Sequence, residues 1–310
     1  MILIDAIGTR HSPAPEARIV SLVPSLTELL FDLGLGSQVV GRTGWCIHPS
    51  PEVRQVKNLG GPKRINMRKF AALAPTHAVL NIDENPKEMS EEIARLGVRH
   101  VVTHPIAPED NLALYRLFGG LFGREREAAA LAGRFAAALA RLAEAAKTLP
   151  SRRVLYLIWM NPWMTVSADT YISRLLAAAN WTTLGHDPDR RYPSLELDER
   201  MVAETDLILF ATEPFPFQER HVADFVRRFP GAAGKAHLAS GDMLSWYGSR
   251  AIPGLDYLRE LAVALAVPAG LRATQNVTNP AQRSATETGS NPDSVKSPGI
   301  RPSRLSEGPS

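Results

Sequence analysis

Residues 108–147 read PEDNLALYRLFGGLFGREREAAALAGRFAAALARLAEAAK. Leu112, Tyr115, Leu117, Leu121, Leu131, Phe135, Leu139 and Leu142 recur at helical spacing, with alanine dominating between them. The pairs Arg124/Glu127 and Arg141/Glu144 lie three apart and suit a solvated face. After Pro108 no proline interrupts the run. Read as one rod, about 35 helical residues span roughly 50 Å. That is longer than a small α/β lobe can cover, and it suits a bridge between two lobes. A bridge implies a cleft, and clefts are where small ligands bind. Gly119, Gly120, Gly123 and Gly133 leave a second reading open, in which the segment breaks into two shorter helices.

The sequence on both sides alternates strand-like and helix-like runs. Before the bridge come RIVSLVP (18–24), QVVGRT (38–43), HAVLNI (77–82) and RHVVTHP (99–105), with helical patterns near 25–33, 67–73 and 86–96. After it come RRVLYLIW (152–159), DLILFA (206–211) and KAHLAS (235–240), with helices near 171–179, 196–203, 217–228 and 254–267. This alternation predicts an α/β fold with parallel sheets, two lobes joined by one long backbone helix. The expected domains are a first lobe at 1–107, the bridge at 108–147, a second lobe at 148–270 and a tail at 271–310. The tail is rich in Ser, Pro, Thr, Gly and Asn and has no aromatic residue. It is expected to be disordered, because it cannot bury enough surface to offset chain entropy.

Composition narrows the function. Apolar residues make up 45% and charged residues 22%, ordinary for a globular protein. The net charge is +3 and the pI about 9.1. The tail holds five basic residues against three acidic ones, so residues 1–270 carry only +1. The basic pI is partly a tail property, and no basic patch interleaved with aromatics points to nucleic acid. A single cysteine, Cys46, excludes an intrachain disulfide and an all-cysteine zinc site. No run of ~18 apolar residues suggests a membrane span. The N-terminus MILIDAIGTRHSPAPEARIV reads without a secretory signal.

In open parallel sheets, ligands sit past the carboxyl ends of the strands. The first strand leads into Pro24 and Ser25, where Ser25-Leu26-Thr27-Glu28 reads as a capping box that aims helix N–H groups towards the cleft. A well-capped helix needs no ligand, so this signal is shared with plain structure. The second strand leads into Trp45, Cys46 and His48, the third into Asp83-Glu84-Asn85 and the fourth into His104. The second lobe offers Trp159 and Trp163, then Glu213, then Trp246 and Tyr247. Four of the five tryptophans fall in these loops, Trp181 being the exception. A loop tryptophan is usually a hydrophobic plug. Four of them from both lobes suit aromatic walls for a large planar ligand such as a corrinoid, haem or metal chelate. Candidate ligand contacts are therefore Pro24, Ser25, Trp45, Cys46, His48 and Glu84 in the first lobe, with Trp159, Trp163, Glu213, Trp246 and Tyr247 in the second.

The residues argue against catalysis and against a resident metal. LGLGSQVVG follows a helix and not a strand, so it fails as a dinucleotide fingerprint. No nucleophile elbow or phosphate loop is present. Cys46 and His48 are two apart, with no CxxC or HExxH to complete a metal site.

RIVSLVPSLTELLFDLGLGSQVVGRTGWCIHP (18–49), GGPKRINMRKFAALAPTHAVLNIDEN (60–85) and the long helix together resemble the helical-backbone metal-receptor superfamily. IWMNPWMTVSADTYISRLL, ATEPFPF and DMLSWYGSR resemble its second-lobe motifs, and the likeness runs over about residues 3–267. These are the substrate-binding proteins of iron-chelate and vitamin B12 ABC importers, and the cobalamin-binding type is the nearest. The resemblance implies a class III periplasmic-binding-protein-like fold whose lobes move little. It implies a monomer that binds cobalamin or another metal chelate without catalysis, has no covalent cofactor and partners an ABC permease. It places the protein in the periplasm, whereas Met1 taken as the start, with no signal peptide, gives a cytoplasmic one. An intracellular metal- or tetrapyrrole-handling protein or enzyme on the same bilobal fold is the alternative. The family docks on its permease through one surface acid per lobe. Glu199 matches the second-lobe position, but Arg68 stands where the first-lobe acid is expected.

Overall fold

The structure is a computed structural model that describes residues 3–266. The tail proposed for 271–310 lies outside the described residues. In the first lobe, β1 (Ile19–Ser21), β2 (Val39–Arg42), β3 (Lys57–Asn58), β4 (His77–Asn81) and β5 (Arg99–Thr103) form a parallel sheet in the order β3-β2-β1-β4-β5. In the second, β6 (Arg152–Leu157), β7 (Trp181–Thr183), β8 (Leu207–Ala211) and β9 (Ala236–Ala239) form a parallel sheet in the order β7-β6-β8-β9. Helices α1 (Pro24–Asp32), α2 (Met67–Ala72) and α3 (Lys87–Arg95) connect the first set of strands. Helices α6 (Tyr171–Ala177), α7 (Glu199–Glu204), α8 (Glu219–Arg228) and α9 (Gly241–Ser245) serve the second. The two-lobed α/β architecture with parallel sheets is the one the strand–helix alternation predicts.

Side chains of a strand alternate between its faces, and here each face has its own core. Ile19 of β1 and Val154 and Tyr156 of β6 face one continuous core with α1, α4 (Asp110–Phe122), α5 (Glu125–Ala146) and α10 (Ala251–Ala266). Val20 of β1 turns to the outer face, with Leu80, Phe70 and Ile93. Leu155 and Leu157 of β6 turn to another outer core with Phe210, Phe217 and Phe225. The strands are therefore buried on both sides, which is why they read as unbroken apolar runs. The helices α4, α5 and α10 weld the two inner faces together.

The bridge differs from the rod suggested by 108–147. α4 ends at Phe122, Gly123 adopts a left-handed φ of +65°, and α5 starts at Glu125. α5 then doubles back along α4. The rings of Tyr115 and Phe135 meet with centroids 6.1 Å apart, where a straight helix would separate them by about 30 Å. Two of the four glycines explain the fold-back. Gly123 supplies the backbone angle that ends α4. Gly119 removes a side chain at the crossing, since a Cβ there would lie 2.6 Å from the Cβ of Ala128. The segment is thus the two-helix alternative, and the long helix between the lobes is α5 alone, 22 residues.

The capping box is also revised. Val23 is the extended N-cap and Pro24 the first residue of α1, with no side-chain cap. Proline's fixed φ and missing N–H suit that first position. Ser25 therefore lies inside the first turn, and Glu28 is free to pair elsewhere. Smaller elements escaped the sequence reading: β3, β7, α9 and a short antiparallel pair, Trp163–Met164 with Ser194–Leu195. They are too short for a periodicity to register.

Candidate functional site

Strand order locates the site. In the first sheet the chain runs outwards from β1 to β3 and returns to β4 on the other side of β1. The switch point lies between β1 and β4, where the loops Leu22–Ser25 and Ile82–Asn85 separate. Asn85 ties them together, its Nδ2 donating to the carbonyls of Leu22 (3.2 Å) and Pro62 (3.0 Å). In the second sheet the switch point lies between β6 and β8. The loops there carry Trp159 and Glu213. Each lobe thus presents one switch-point glutamate, Glu84 and Glu213.

The segment Trp246–Arg250, between α9 and α10, brings the two lobes into register. Gly248, with φ +76°, lies against α1, where an added Cβ would sit 3.3 Å from the Cβ of Leu29 and the Ser25 carbonyl oxygen. Its N–H donates to Asn111 Oδ1 at 2.6 Å, and its carbonyl accepts from Tyr115 Oη at 2.9 Å. Thus bolted down, the segment aims Tyr247 and Arg250 at first-lobe carboxyls. Tyr247 Oη donates to Glu84 Oε1 at 2.8 Å. Arg250 donates from Nε and Nη2 to the two oxygens of Glu28 at 2.8 and 2.6 Å, and from Nη1 to Asp242 at 3.0 Å. The fork-on-fork geometry is the strong form of a charged hydrogen bond. Arg250 also lies over the Trp246 ring at 5.1 Å, and His48 of the first lobe meets that ring edge-on at 5.8 Å. On another side, Arg191 and Tyr192 reach Asp83 Oδ2 at 3.1 and 3.2 Å.

Burial dominates the electrostatics. Desolvation raises the Glu84 carboxyl to about 7, opposed by the hydrogen bond from Tyr247. Desolvation, then the charge of Asp242, raises Glu213 to about 7. Burial holds Glu28 above the usual carboxylate range despite Arg250. The His48 imidazole is depressed by burial and then by the Arg250 charge.

The residues proposed from sequence divide into three groups. Pro24, Ser25, His48, Glu84, Glu213, Trp246 and Tyr247 come together where the lobes meet. Trp45, on the same loop as His48, is 57% exposed, and Ile47 between them is 54% exposed. The remaining three are turned to other uses. Cys46 is fully buried in the first lobe, its Sγ 3.2 Å from Thr43 Oγ1, and burial raises its thiol pKa. It is a small core residue and offers no thiolate to a ligand. Trp163 is stacked on Phe217 and edge-on to Phe210 and Phe225, within the second lobe's outer core. Trp159 packs edge-on against Phe215 at 5.4 Å and against the shared core. The aromatic wall is therefore narrower than four tryptophans suggested, and the site is richer in carboxyls. Glu28, read from sequence as part of a capping box, pairs with Arg250 instead, and Asp242, Arg250 and the Asp83–Arg191–Tyr192 contact were not anticipated. The only local signal for Arg250 was its place in the quoted DMLSWYGSR stretch. Among the described residues no cluster of three His, Cys, Asp or Glu side chains is arranged to hold a metal ion, and no helix is long and apolar enough to cross a membrane.

Residues 19–234 match the family described as periplasmic binding protein. The vitamin B12-binding protein of Pectobacterium carotovorum subsp. carotovorum (strain PC1) is 22% identical over 199 residues, covering 64% of this chain and 72% of its own length. The periplasmic vitamin B12-binding protein BtuF of Vibrio cholerae superposes with a TM-score of 0.70 at 17% identity, over 82% of this chain and 99% of that one. The apo periplasmic haem-binding protein RhuT from Roseiflexus sp. RS-1 gives 0.70 at 21% identity, over 81% and 100%. At these identities the superpositions establish the fold, and the family match covers most of the chain. The chain belongs to the periplasmic binding protein family, within the helical-backbone metal-receptor superfamily, whose members bind ligands and are not enzymes.

Proposed function

We propose that this protein captures cobalamin or a related metal chelate between its lobes and, as a monomer in the periplasm, delivers it to an ABC importer. The observation that carries this reading is the convergence of both switch points on one place. Ser25 and Glu84 from one sheet meet Glu213, Trp246 and Tyr247 from the other, with the exposed Trp45 alongside. The relatives named for vitamin B12 binding support a corrinoid, and the haem-binding neighbour supports a tetrapyrrole. Trp45 and Trp246 give the reading a direct assay. Tryptophan fluorescence and visible absorbance are followed as the protein is titrated with cyanocobalamin, haem and a ferric siderophore. Saturable quenching by one of them is expected. Binding of none would overturn the reading.

Glu199 opens α7 and is exposed, as a docking acid must be. Arg68 of α2 is exposed too, with exposed Lys69 beside it. A cation facing the permease's own cations is repulsive. The protein is therefore expected to bind its ligand and couple poorly to a B12-type importer.

A further inference from the structure

The cations at the lobe junction are already engaged. Arg250 donates from Nε and Nη2 to Glu28 and from Nη1 to Asp242, so its whole guanidinium is in use. Arg191 donates from Nη1 to Asp169 and from Nη2 to Asp83, and its Nε is buried. Lys63 Nζ donates to the Asp83 carbonyl, and its charge is felt by Glu84. His48 is held towards its neutral form by burial and then by the Arg250 charge. The carboxyls are not all engaged. Among the described residues the arginine ion pairs here go to Glu28, Asp83, Asp169 and Asp242, and to neither switch-point glutamate. Tyr247 Oη donates to Glu84 Oε1 at 2.8 Å, a bond that favours the carboxylate and leaves Oε2 without a donor. Glu213 lies against the start of α9, where a Cβ on Gly241 would sit 2.6 Å from its Cγ, so its chain neighbour across that contact is Asp242. Both glutamates are half-buried, open on one side to the cleft. The loops after β2 and β4 add the exposed apolar side chains Trp45, Ile47 and Ile82. A ligand entering there meets apolar faces and unpaired carboxylate oxygens, and no uncommitted arginine.

We propose that the cleft selects its ligand by charge: Glu84 and Glu213 admit a neutral or cationic chelate with N–H donors on its rim and reject one that carries oxyanions. The proposal rests on the reading of this cleft as the ligand site and narrows the class of ligand it takes. A carboxylate oxygen accepts hydrogen bonds and donates none. It pairs with an amide N–H and repels a second carboxylate, and such built-in repulsion is how a site discriminates between ligands of similar shape. The three candidate classes differ in this respect. A cobalamin is rimmed with amides, haem carries propionates, and a ferric tris-catecholate is a polyanion. An anionic group brought to this junction finds its natural partners, Arg250 and Arg191, committed to Glu28, Asp242, Asp169 and Asp83. Each ligand oxyanion facing the glutamates is therefore expected to cost about 10- to 100-fold in affinity.

The test compares ligands of matched shape and different charge on the unaltered full chain. Calorimetry or fluorescence titration at about pH 8, where both glutamates are mainly ionised, is run with cyanocobalamin, a cyanocobalamin monocarboxylate in which one rim amide is hydrolysed, a neutral ferric hydroxamate, haem and a ferric tris-catecholate. A neutral ligand is expected to bind tightest, with the monocarboxylate about tenfold or more below its parent amide. Glu84→Gln and Glu213→Gln each remove a negative charge and keep an acceptor oxygen, so each is expected to narrow the preference for neutral over anionic ligands by about 3- to 10-fold. The ligand series needs no variant, so it decides the matter where a Gln variant folds poorly. Haem or the tris-catecholate binding more tightly than every neutral ligand overturns the charge rule and leaves capture of a chelate standing. Equal affinity for cyanocobalamin and its monocarboxylate overturns it too, as does an unaltered preference in both folded Gln variants. Binding of no ligand in the series overturns the capture reading and this proposal with it.

Discussion

Arg250→Met is the most informative single change to the lobe junction. It keeps the aliphatic stem over Trp246 and removes the guanidinium that pairs with Glu28 and Asp242. The Arg250 and Glu28 side chains are only 11% and 15% exposed. Exposed ion pairs contribute about 1 kcal/mol or less, but stranding one partner of a buried pair costs about 3–5 kcal/mol. For a chain of this size that loss lowers the melting temperature by roughly 6–20 °C. Thermal and urea unfolding of Glu28→Gln, Arg250→Met and the double variant at about pH 7.5 would measure it. The two changes share a bidentate contact, so they should couple by about 1–3 kcal/mol. The pH dependence follows from Glu28. Burial already raises its carboxyl with Arg250 present, and without Arg250 the attraction opposing burial is gone, so its folded pKa climbs further. The variant is therefore most impaired above that value and recovers towards acid, as Glu28 takes up a proton and no longer needs a cation. A loss below about 1 kcal/mol near pH 7.5 would place the pair with ordinary surface pairs. A loss independent of pH would show that Glu28 is not what Arg250 neutralises.

Four other changes probe the remaining links. Trp45→Ala should leave folding intact, because the side chain is largely exposed, yet weaken ligand binding by about 1–3 kcal/mol; Trp246→Ala should lower both affinity and melting temperature, and unchanged affinity in both would remove the tryptophans from the site. Gly119→Val should destabilise by about 1–3 kcal/mol through overpacking against Ala128, whereas a single straight helix would gain from losing a glycine, so increased thermal stability would contradict the fold-back. Arg68→Glu should raise uptake in a reconstituted B12-type importer without altering affinity for the free ligand, and equal uptake by both proteins would show that α2 is not a contact surface.

The fold was legible because burial on both faces writes itself into a strand. RIVSLVP and DLILFA read as strands because Ile19 and Val20, or Ile208 and Leu209, each have a core to enter. The bridge was half legible. Its apolar period is the same in a straight rod and in a folded-back pair, since α4 and α5 each need an apolar stripe in either arrangement. Only Gly119 and Gly123 separate the two, and a glycine in sequence does not say whether it supplies a left-handed φ, a close approach or neither.

The site was legible where topology alone decides it. Ser25, Glu84 and Glu213 follow strands at the two switch points, and any parallel sheet of this order would bring them forward. The tryptophans were harder, because a loop position does not fix which way a ring turns. Trp163 found an aromatic core to enter, and Trp246 found Arg250 and His48. Least legible were the charged contacts across the junction. Glu28 and Arg250 are 222 positions apart, and Glu84 and Tyr247 are 163 apart. No local pattern links such pairs; they exist because α5 doubles back on α4 and because Gly248 lets the chain lie on α1. The lobe junction is thus set by a few backbone points, two of which, Gly119 and Gly123, lie at the α4–α5 crossing and outside the candidate ligand loops. Changes at Gly119 or Gly123 should therefore alter ligand affinity without touching a single candidate ligand contact.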